Sequence, residues 1–445
     1  MKVLVIGGGG REHALCWHLR ACSPEAEVYC APGSDGIAQV ADVVRIAADE
    51  VHELADLARD LKIDLTIVGP ELPLSLGVVD EFQNRGLRIF GPRKAAAQLE
   101  SSKVFAKEFM RRHGIPTADF EVVHDAEEAC AAAARFGLPV VLKADGLAAG
   151  KGVLLAHTKA ELDDAIAAFF EHRKFGAGGD RVVVEQFLQG EEVSFIGLSD
   201  GLRLLPLATA KDYKRIGEGD IGPNTGGMGA HSPSGVADAS TAALVLERVM
   251  HATVAGMAAE DNPFVGFLYA GLMLTDDGPS VLEFNVRLGD PEAQALLLRL
   301  EDDLARLLLR GARGDFETTR LDFKKEAAAC LVLAAEGYPE SAVKGARISG
   351  LDVAATHEGV EIFHAGTAKT ETGWVVAGGR VLNVCASGRD LRHALRRAYD
   401  AARRIDWPGR QLRGDIGRRV LQAENIQHSG ITSIPREVLG EESSG

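Results

Sequence analysis

The sequence opens MKVLVIGGGGREHA, an apolar run from Val3 to Ile6 that breaks into four glycines, Gly7 to Gly10, and resumes as a helical pattern. A strand-length run that ends in glycine and hands over to a helix is the building block of a parallel sheet, because parallel neighbours need a crossover between them. The rhythm continues to about residue 100. EVYCA, VVRI, DLTIVG and RIF alternate with helical or turn segments such as EHALCWHL and VHELADLARDL. The runs stop at Gly, Pro or Asp, as in VIGGGG, CAPGSDG and IVGPE, which puts loops at the carboxyl ends of the strands, where open α/β sheets hold ligands. A dinucleotide fingerprint would need a third glycine where Glu12 stands and an acid at the end of the second strand. That strand ends in Ala31, Pro32 and Gly33, so nicotinamide binding is disfavoured. Two readings of Gly9, Gly10, Arg11 and Glu12 stay open: a phosphate-binding helix N-terminus, or a tight strand-to-helix turn.

At about 150 residues per domain, a chain of 445 residues has room for three. Hydrophobic residues make up 46% and charged ones 25%, which suits packed cores rather than a disordered scaffold. The net charge of -15 and the lack of any basic run argue against a nucleic-acid partner. Six cysteines, at 16, 22, 30, 130, 330 and 385, form no CxxC pair, so neither a disulfide framework nor a zinc site is expected. No uninterrupted apolar stretch approaches the roughly 20 residues of a membrane span, and the opening run is too short for a signal peptide. A cytoplasmic protein with no membrane partner is expected. A monomer is expected too, although sequence does not fix the oligomeric state.

The fold expected is α/β followed by α+β. Residues 1–100 form a Rossmann-like domain. Residues 101–324 form a second unit, whose lid segment 121–189 reads as a small mixed sheet with helices on one face. Its remaining strands, EVSFIGLSD, LRLLPLATA, GFLYAGLMLTDDG and PSVLEFNVR, read as a larger sheet. Residues 325–426 form a small mixed domain, and 427–445, ending in EESSG, read as a flexible tail.

Three stretches carry chemistry. Lys143 ends the strand PVVLK and opens a turn running through Gly146, Gly150, Lys151 and Gly152. Glycines let a backbone fold over phosphates while lysine supplies fixed charge, although the spacing is not that of a Walker loop and a solvated hairpin is the plainer alternative. In the segment from Val281 to Arg287 a period of two puts Glu283, Asn285 and Arg287 on one face of what reads as a central strand. A carboxylate and an amide oxygen are hard ligands suited to Mg²⁺ that also bridges phosphates, and Arg287 is suited to clamp a carboxylate or phosphate. Lys211 to Arg215 and the glycine-rich segment from Gly222 to Ala230 read as one irregular connection, either a flexible lid closing on a ligand or a long surface loop. Glu185, Glu191 and Glu192 read equally well as ribose-binding or plain surface acids. Neither HExxH nor GxSxG occurs.

Taken together, GGREHA (9–14), APG (31–33), DLTIVGPE (64–71), FGP (90–92), AAQLE (96–100), SK (102–103), KADGLAAGKGV (143–153), GEE (190–192), GPNTGGMGA (222–230), GFLYAGLM (266–273) and GDPE (289–292) resemble the glycinamide ribonucleotide synthetase family of the ATP-grasp superfamily. The resemblance implies a Rossmann-like amino-terminal domain, an ATP-grasp unit of two subdomains and a small mixed carboxyl-terminal domain. It also implies ligation of glycine to 5-phospho-β-D-ribosylamine, with ATP and Mg²⁺ (or Mn²⁺) as cofactors. By the same resemblance, Lys103, Lys143, Gly150, Lys151, Gly152, Glu185, Phe187, Leu188 and Glu192 would bind ATP, and Glu283 and Asn285 the metal. Gly9, Gly10, Arg11, Glu12, Pro32, Gly33, Glu71, Asn224, Thr225, Gly226 and Arg287 would contact glycine and the aminosugar. Lys143, Asp212, Lys214, Arg287 and Asp290 would carry the chemistry.

Some positions depart from the family pattern. Gly8 stands where Asn is common, Tyr213 where His is usual, Val286 and Leu288 where Cys and Phe often flank the arginine, and Arg418 where Trp often follows DIG. Tyr213 makes a proton-transfer role at that position doubtful. The competing readings are another carboxylate-amine ligase, a nucleotide-binding scaffold without turnover, and a nicotinamide-dependent oxidoreductase.

Overall fold

Five parallel strands form the amino-terminal sheet, in the order Asp42–Val43, Glu27–Pro32, Lys2–Gly7, Leu65–Val68 and Ile89–Phe90. The structure, a computed structural model, describes residues 1–147 and 152–423. The alternation of the first strand sorts its side chains. Val3 and Val5 join Ala14, Leu15 and Leu19 of the helix Gly10–Cys22, whereas Leu4 and Ile6 join Leu54, Ala55 and Ala58 of the helix Val51–Asp60. Strand order reverses about Lys2–Gly7, so the mouth between its carboxyl end and that of Leu65–Val68 is the place where such sheets leave a crevice.

The lid sheet runs Phe120–Val123, Val182–Gln186, Val140–Ala144, Val153–Ala156. Every pairing in it is antiparallel, not mixed as expected. A second four-stranded sheet holds Leu204–Pro206, Glu191–Asp200, Val265–Thr275 and Gly278–Asn285. Here the strand that carries Glu283 is an edge and not a central strand. Its outer side is covered instead by 100–117: Val281 N donates to Pro116 O at 2.8 Å, Thr117 Oγ1 to Val281 O at 2.7 Å, and Val286 N to Glu100 Oε2 at 2.8 Å. A register shift leaves Leu282 without a partner opposite it, a bulge of the kind that re-aims side chains beside functional sites.

Among the described residues one helix, Ala239–Ala259, is long and apolar enough by length and composition to cross a membrane, with mean hydropathy 1.2. Glu247, Arg248 and His251 interrupt it, so it is not the uninterrupted apolar stretch whose absence the sequence predicts. Its Val245, Val249, Met250, Val254 and Met257 are buried in a core shared with Leu268, Ala270, Leu272 and Phe284 of the adjacent sheet.

The carboxyl-terminal sheet runs Lys211–Asp212, Gly229–Ser232, Ala327–Ala334, Arg380–Gly388, Val360–His364. Two of its strands therefore come from the segment read as irregular. Arg215–Gly217 and Ile221–Asn224 form a hairpin between them, so 211–232 is four short strands and not a loose lid. Val360–His364 and Thr367–Thr370, only two residues apart, join different sheets. The tail 427–445, Gly150 and Lys151 lie outside the described residues.

First and last domains meet through histidines. His13 Nδ1 accepts from His364 N at 2.9 Å, and the two rings stack 5.7 Å apart. Burial pushes His13 down to about 3 and His364 down to about 4. Because both folded values lie below the ordinary 6.5, the unfolded chain binds more protons between about pH 4 and 6.5. Stability is fully present above that window and declines as pH falls through it. From about pH 7.5 to about pH 5 each imidazole should remove about 2 kcal/mol. Thermal melting across that range measures the loss, and His364→Phe should flatten its slope. A melting temperature that stays constant would contradict this account.

Candidate active site

Three lysines from three elements gather beside the Glu283 edge strand. Lys143, at the end of the lid strand Val140–Ala144, donates its ammonium to Leu282 O at 2.9 Å, one residue from Glu283. Lys103 opens the helix Lys103–Arg112 and donates to Gly146 O at 3.2 Å. Lys214 lies 3.4 Å from Glu283 Oε1 and 3.6 Å from Glu192 Oε2. Burial alone would raise the Glu283 carboxyl, but Lys214, Lys103 and Lys143 outweigh it and hold it at about 2. Glu283 is thus an anion set among cations across the neutral range.

The turn after Lys143 is anchored at its root. Asp145, 9% exposed, accepts from Ser102 Oγ at 2.9 Å and Val104 N at 3.2 Å, which ties the turn to the start of the Lys103 helix, and it pairs with Arg181. Ala144 N donates to Gly152 O at 2.8 Å, closing the hairpin. Glu185 does not fit the expected contact with ribose hydroxyls. It is 3% exposed, with Oε1 2.5 Å from Lys143 and Oε2 2.5 Å from Lys107. Phe187 and Leu188 follow it half-buried, the Phe187 ring 6.0 Å from that of His157. Glu192 remains at the edge of a narrow pocket, with room for little more than a water, lined also by Ser194, Asp212, Lys214 and Tyr269. Burial and Glu292 push the Asp212 carboxyl well up, against the pull of Lys214 and Arg380.

Arg287 is already occupied. Its Nε lies 3.3 Å from Glu71 Oε2, while Nη1 donates to Leu288 O at 3.2 Å. Nη2 donates to Asn285 Oδ1 at 2.9 Å and sits 3.0 Å from Glu100 Oε1. A guanidinium has five N–H donors, so this arrangement leaves no free fork for the expected two-point clamp; a carboxylate would have to displace Glu71. Burial opposes the charge on Arg287, but Glu100 and Glu71 raise its pKa above the ordinary value.

The 9–12 loop is likewise filled from within. Glu12, 2% exposed, accepts from Gly9 N at 2.7 Å and from Arg11 Nε at 2.6 Å, so its carboxylate takes the place an anion would have at the helix N-terminus. Only glycine fits opposite: a Cβ on Gly69 would strike that carboxylate, and one on Gly10 would strike Asn383. Gly33 N donates to Gly7 O at 3.0 Å, which closes the Pro32–Gly33 turn onto the first strand. Arg11 Nη1 reaches Leu288 O at 3.0 Å, linking this corner to the Arg287 strand.

Asp290 pairs with Arg380 at 3.3 Å and accepts from Gln294 Nε2 at 2.8 Å. Burial raises the Asp290 carboxyl, yet Arg380 and Arg11 bring it below its ordinary value. Arg380 also donates to Gly226 O, so a carboxyl-terminal strand pins the glycine-rich segment. Thr225 Oγ1 donates to Lys214 O at 2.8 Å and accepts from Gly227 N at 3.0 Å, while Asn224 pairs across the hairpin with Arg215. Tyr213 points the other way from Asp212 and Lys214. It is 4% exposed within the carboxyl-terminal core, its hydroxyl accepts from Gly417 N at 2.9 Å, and Arg413 lies over its ring at 5.2 Å. That position packs the core and faces no reacting group.

Among the described residues no three His, Cys, Asp or Glu side chains could together hold a metal. Glu283 and Asn285 are nevertheless hard oxygen donors two residues apart, and one of them is held ionised. That set fits Mg²⁺, which takes one or two protein oxygens and completes its shell with waters and substrate phosphates.

The matches to known families run the length of this arrangement. Residues 1–100 match the N domain of phosphoribosylglycinamide synthetase, 101–293 its ATP-grasp (A) domain and 328–419 its C domain. A phosphoribosylamine-glycine ligase of Brucella melitensis is 47% identical over 424 residues, 95% of this chain and 99% of its own. The chain belongs to the phosphoribosylglycinamide synthetase family. The corresponding ligase of Xanthomonas axonopodis is 49% identical over 428 residues, 95% of this chain and 99% of its own. The crystal structure of the Thermotoga maritima ligase superimposes with TM-score 0.81 at 34% identity, covering 93% of this chain and 100% of that one. A biotin carboxylase from Campylobacter jejuni shares the fold, with TM-score 0.69 at 16% identity over 92% of each chain. The expected architecture of Rossmann-like, ATP-grasp and mixed carboxyl-terminal domains is therefore that of the family.

Four groups at this site had no role in the sequence reading: Lys107, Glu100, Glu292 and Arg380. Lys107 and Glu100 lie in helical stretches where a charge looks solvated. Only the AAQLE stretch, which ends in Glu100, and the GDPE stretch, which includes Glu292, gave any signal.

Proposed function

We propose that the protein joins glycine to 5-phospho-β-D-ribosylamine, cleaving ATP to ADP and phosphate and giving glycinamide ribonucleotide, a step of purine biosynthesis. The observation that carries this reading is the convergence of Lys103, Lys143 and Lys214 on Glu283, in a chain that matches phosphoribosylamine-glycine ligases over 95% of its length.

An amine does not displace hydroxide from a carboxylate at neutral pH, so the glycine carboxylate is first phosphorylated. The lysines stabilise the negative charge of the polyphosphate and of the moving phosphoryl group. Glu283 and Asn285 would hold Mg²⁺ or Mn²⁺, which supplies further neutralisation of the β- and γ-phosphates. Glu192 would meet the nucleoside end, Arg287 would take glycine once the substrate carboxylate displaces Glu71, and Asp290 would serve the aminosugar. Thr225 and Gly226, pinned by Arg380, form the wall that shields glycyl phosphate from water until the aminosugar nitrogen attacks and phosphate leaves. Six free thiols suit a cytoplasmic location, and the net charge of -15 fits small-molecule partners better than nucleic acid.

The test is a reconstitution with ATP, Mg²⁺, glycine and freshly generated phosphoribosylamine. Glycinamide ribonucleotide should appear with equimolar ADP and vanish when any component is omitted. ADP formed at the same rate without glycine would contradict the reading.

A further inference from the structure

Lys107 is the most enclosed cation at the site and the one that no account of the nucleotide has yet used. It is 3% exposed, in the middle of the helix Lys103–Arg112. Its ammonium lies 2.5 Å from Glu185 Oε2 and donates to Thr117 Oγ1 at 2.7 Å. Thr117 Oγ1 donates in turn to Val281 O, and the neighbouring Leu282 O accepts from Lys143. Lys143 closes the ring on the other oxygen of Glu185 at 2.5 Å. The circuit joins the connecting helix, the lid sheet and the edge strand that bears Glu283.

The charge count gives this circuit its meaning. Two ammonium groups share one carboxylate, and Lys143 also faces Glu283 and Lys103; Lys103, Lys107, Lys143 and Lys214 against Glu185, Glu192 and Glu283 leave one positive charge. A buried ion cluster with a surplus charge is completed by a ligand of opposite sign. Without Lys107, Glu185 and Lys143 would form a closed neutral pair. We propose that Lys107 is a positioning residue that occupies Glu185 and so leaves the Lys143 ammonium with charge to offer the nucleotide phosphates. This rests on the ligase reading above and assigns Glu185 to holding lysines, not to the ribose.

The test is a cycle of neutral, near-isosteric replacements read by ATP titration of the full-length protein and by steady-state kinetics. Lys107→Met should weaken ATP binding roughly 10- to 100-fold, the worth of a charge-assisted contact, with KM for glycine unchanged. Adding Glu185→Gln frees Lys143 again, so the double variant should bind ATP within about threefold of the parent. A residue with only a structural role would give losses that add. Unaltered ATP affinity in Lys107→Met overturns the proposal, as does a double variant that binds more weakly than Lys107→Met. If Lys107→Met alone does not fold, the double variant, which buries no unpaired acid, is read by itself: near-parental affinity supports the proposal and a loss of tenfold or more overturns it. Parent protein without measurable ATP affinity overturns the ligase reading and this one together, whereas normal parental affinity with an indifferent Lys107→Met overturns this one alone.

Discussion

Replacing Glu283 by Gln is expected to lower ATP-dependent product formation roughly 10²- to 10³-fold, the scale on which a single preorganised charge contact acts in a phosphoryl or acyl transfer site. The amide keeps the shape and removes the charge on which Lys103, Lys143 and Lys214 converge. It also removes the only one of the two proposed metal donors that carries a charge. The effect should fall on the ATP half of the reaction, so aminosugar affinity should change little while the Mg²⁺ concentration giving half-maximal rate rises. Because the folded carboxyl titrates at about 2, Glu283 stays ionised at every pH above about 4, and an acid limb of the rate profile nearer neutrality must come from another group. Near-normal turnover of the variant at saturating Mg²⁺ would remove Glu283 from the mechanism.

Arg287→Met should unfold the molecule as readily as it inactivates it. Glu100, whose carboxyl is already pushed up by burial, would lose its main counter-charge, and Glu71 and Asn285 their donor. Breaking a buried pair from one side costs about 3–5 kcal/mol, because the surviving charge has no solvent. Equilibrium unfolding in denaturant measures this. Adding Glu100→Gln should recover most of the stability without recovering kcat/KM for glycine, which separates the two duties of the arginine. A single variant with parental unfolding midpoint and parental glycine kinetics would show that neither duty is real.

The sequence made the first hundred residues legible because the strands other than Asp42–Val43 are apolar on both faces and stop at a glycine or proline; Val3 to Ile6 could be little else. The Lys143 hairpin and the polar alternation of Glu283, Asn285 and Arg287 were legible for the same reason, that spacing along one strand fixes what shares a face. Neighbours across space were not. The Glu283 strand was placed in mid-sheet, whereas its outer side is covered by Pro116 and Thr117, which carry no strand signature. Strands of two to four residues between Lys211 and Ser232, rich in glycine and paired with residues such as Cys330 and Leu331 a hundred positions away, left no local periodicity to detect. Tyr213 was judged by its sequence neighbours, though just past the strand Lys211–Asp212, where its backbone still pairs with Gly229, adjacent side chains face opposite ways. Lys107 could not be told from the solvated charges of its helix, because burial of a single lysine depends on an acid seventy-eight residues later.

The borrowed strands of the last sheet also determine how this protein can be taken apart. A gene cut before residue 325 would seem to spare the whole phosphate site, yet it would strip Gly229–Ser232 of its partner Ala327–Ala334 and Asp290 of Arg380. The exposed strand edge invites self-association, and Lys214 would lose the scaffold that aims it. Chimeras exchanging the carboxyl-terminal portion between relatives therefore need to carry residues 211–232 with it, since the two segments share one sheet.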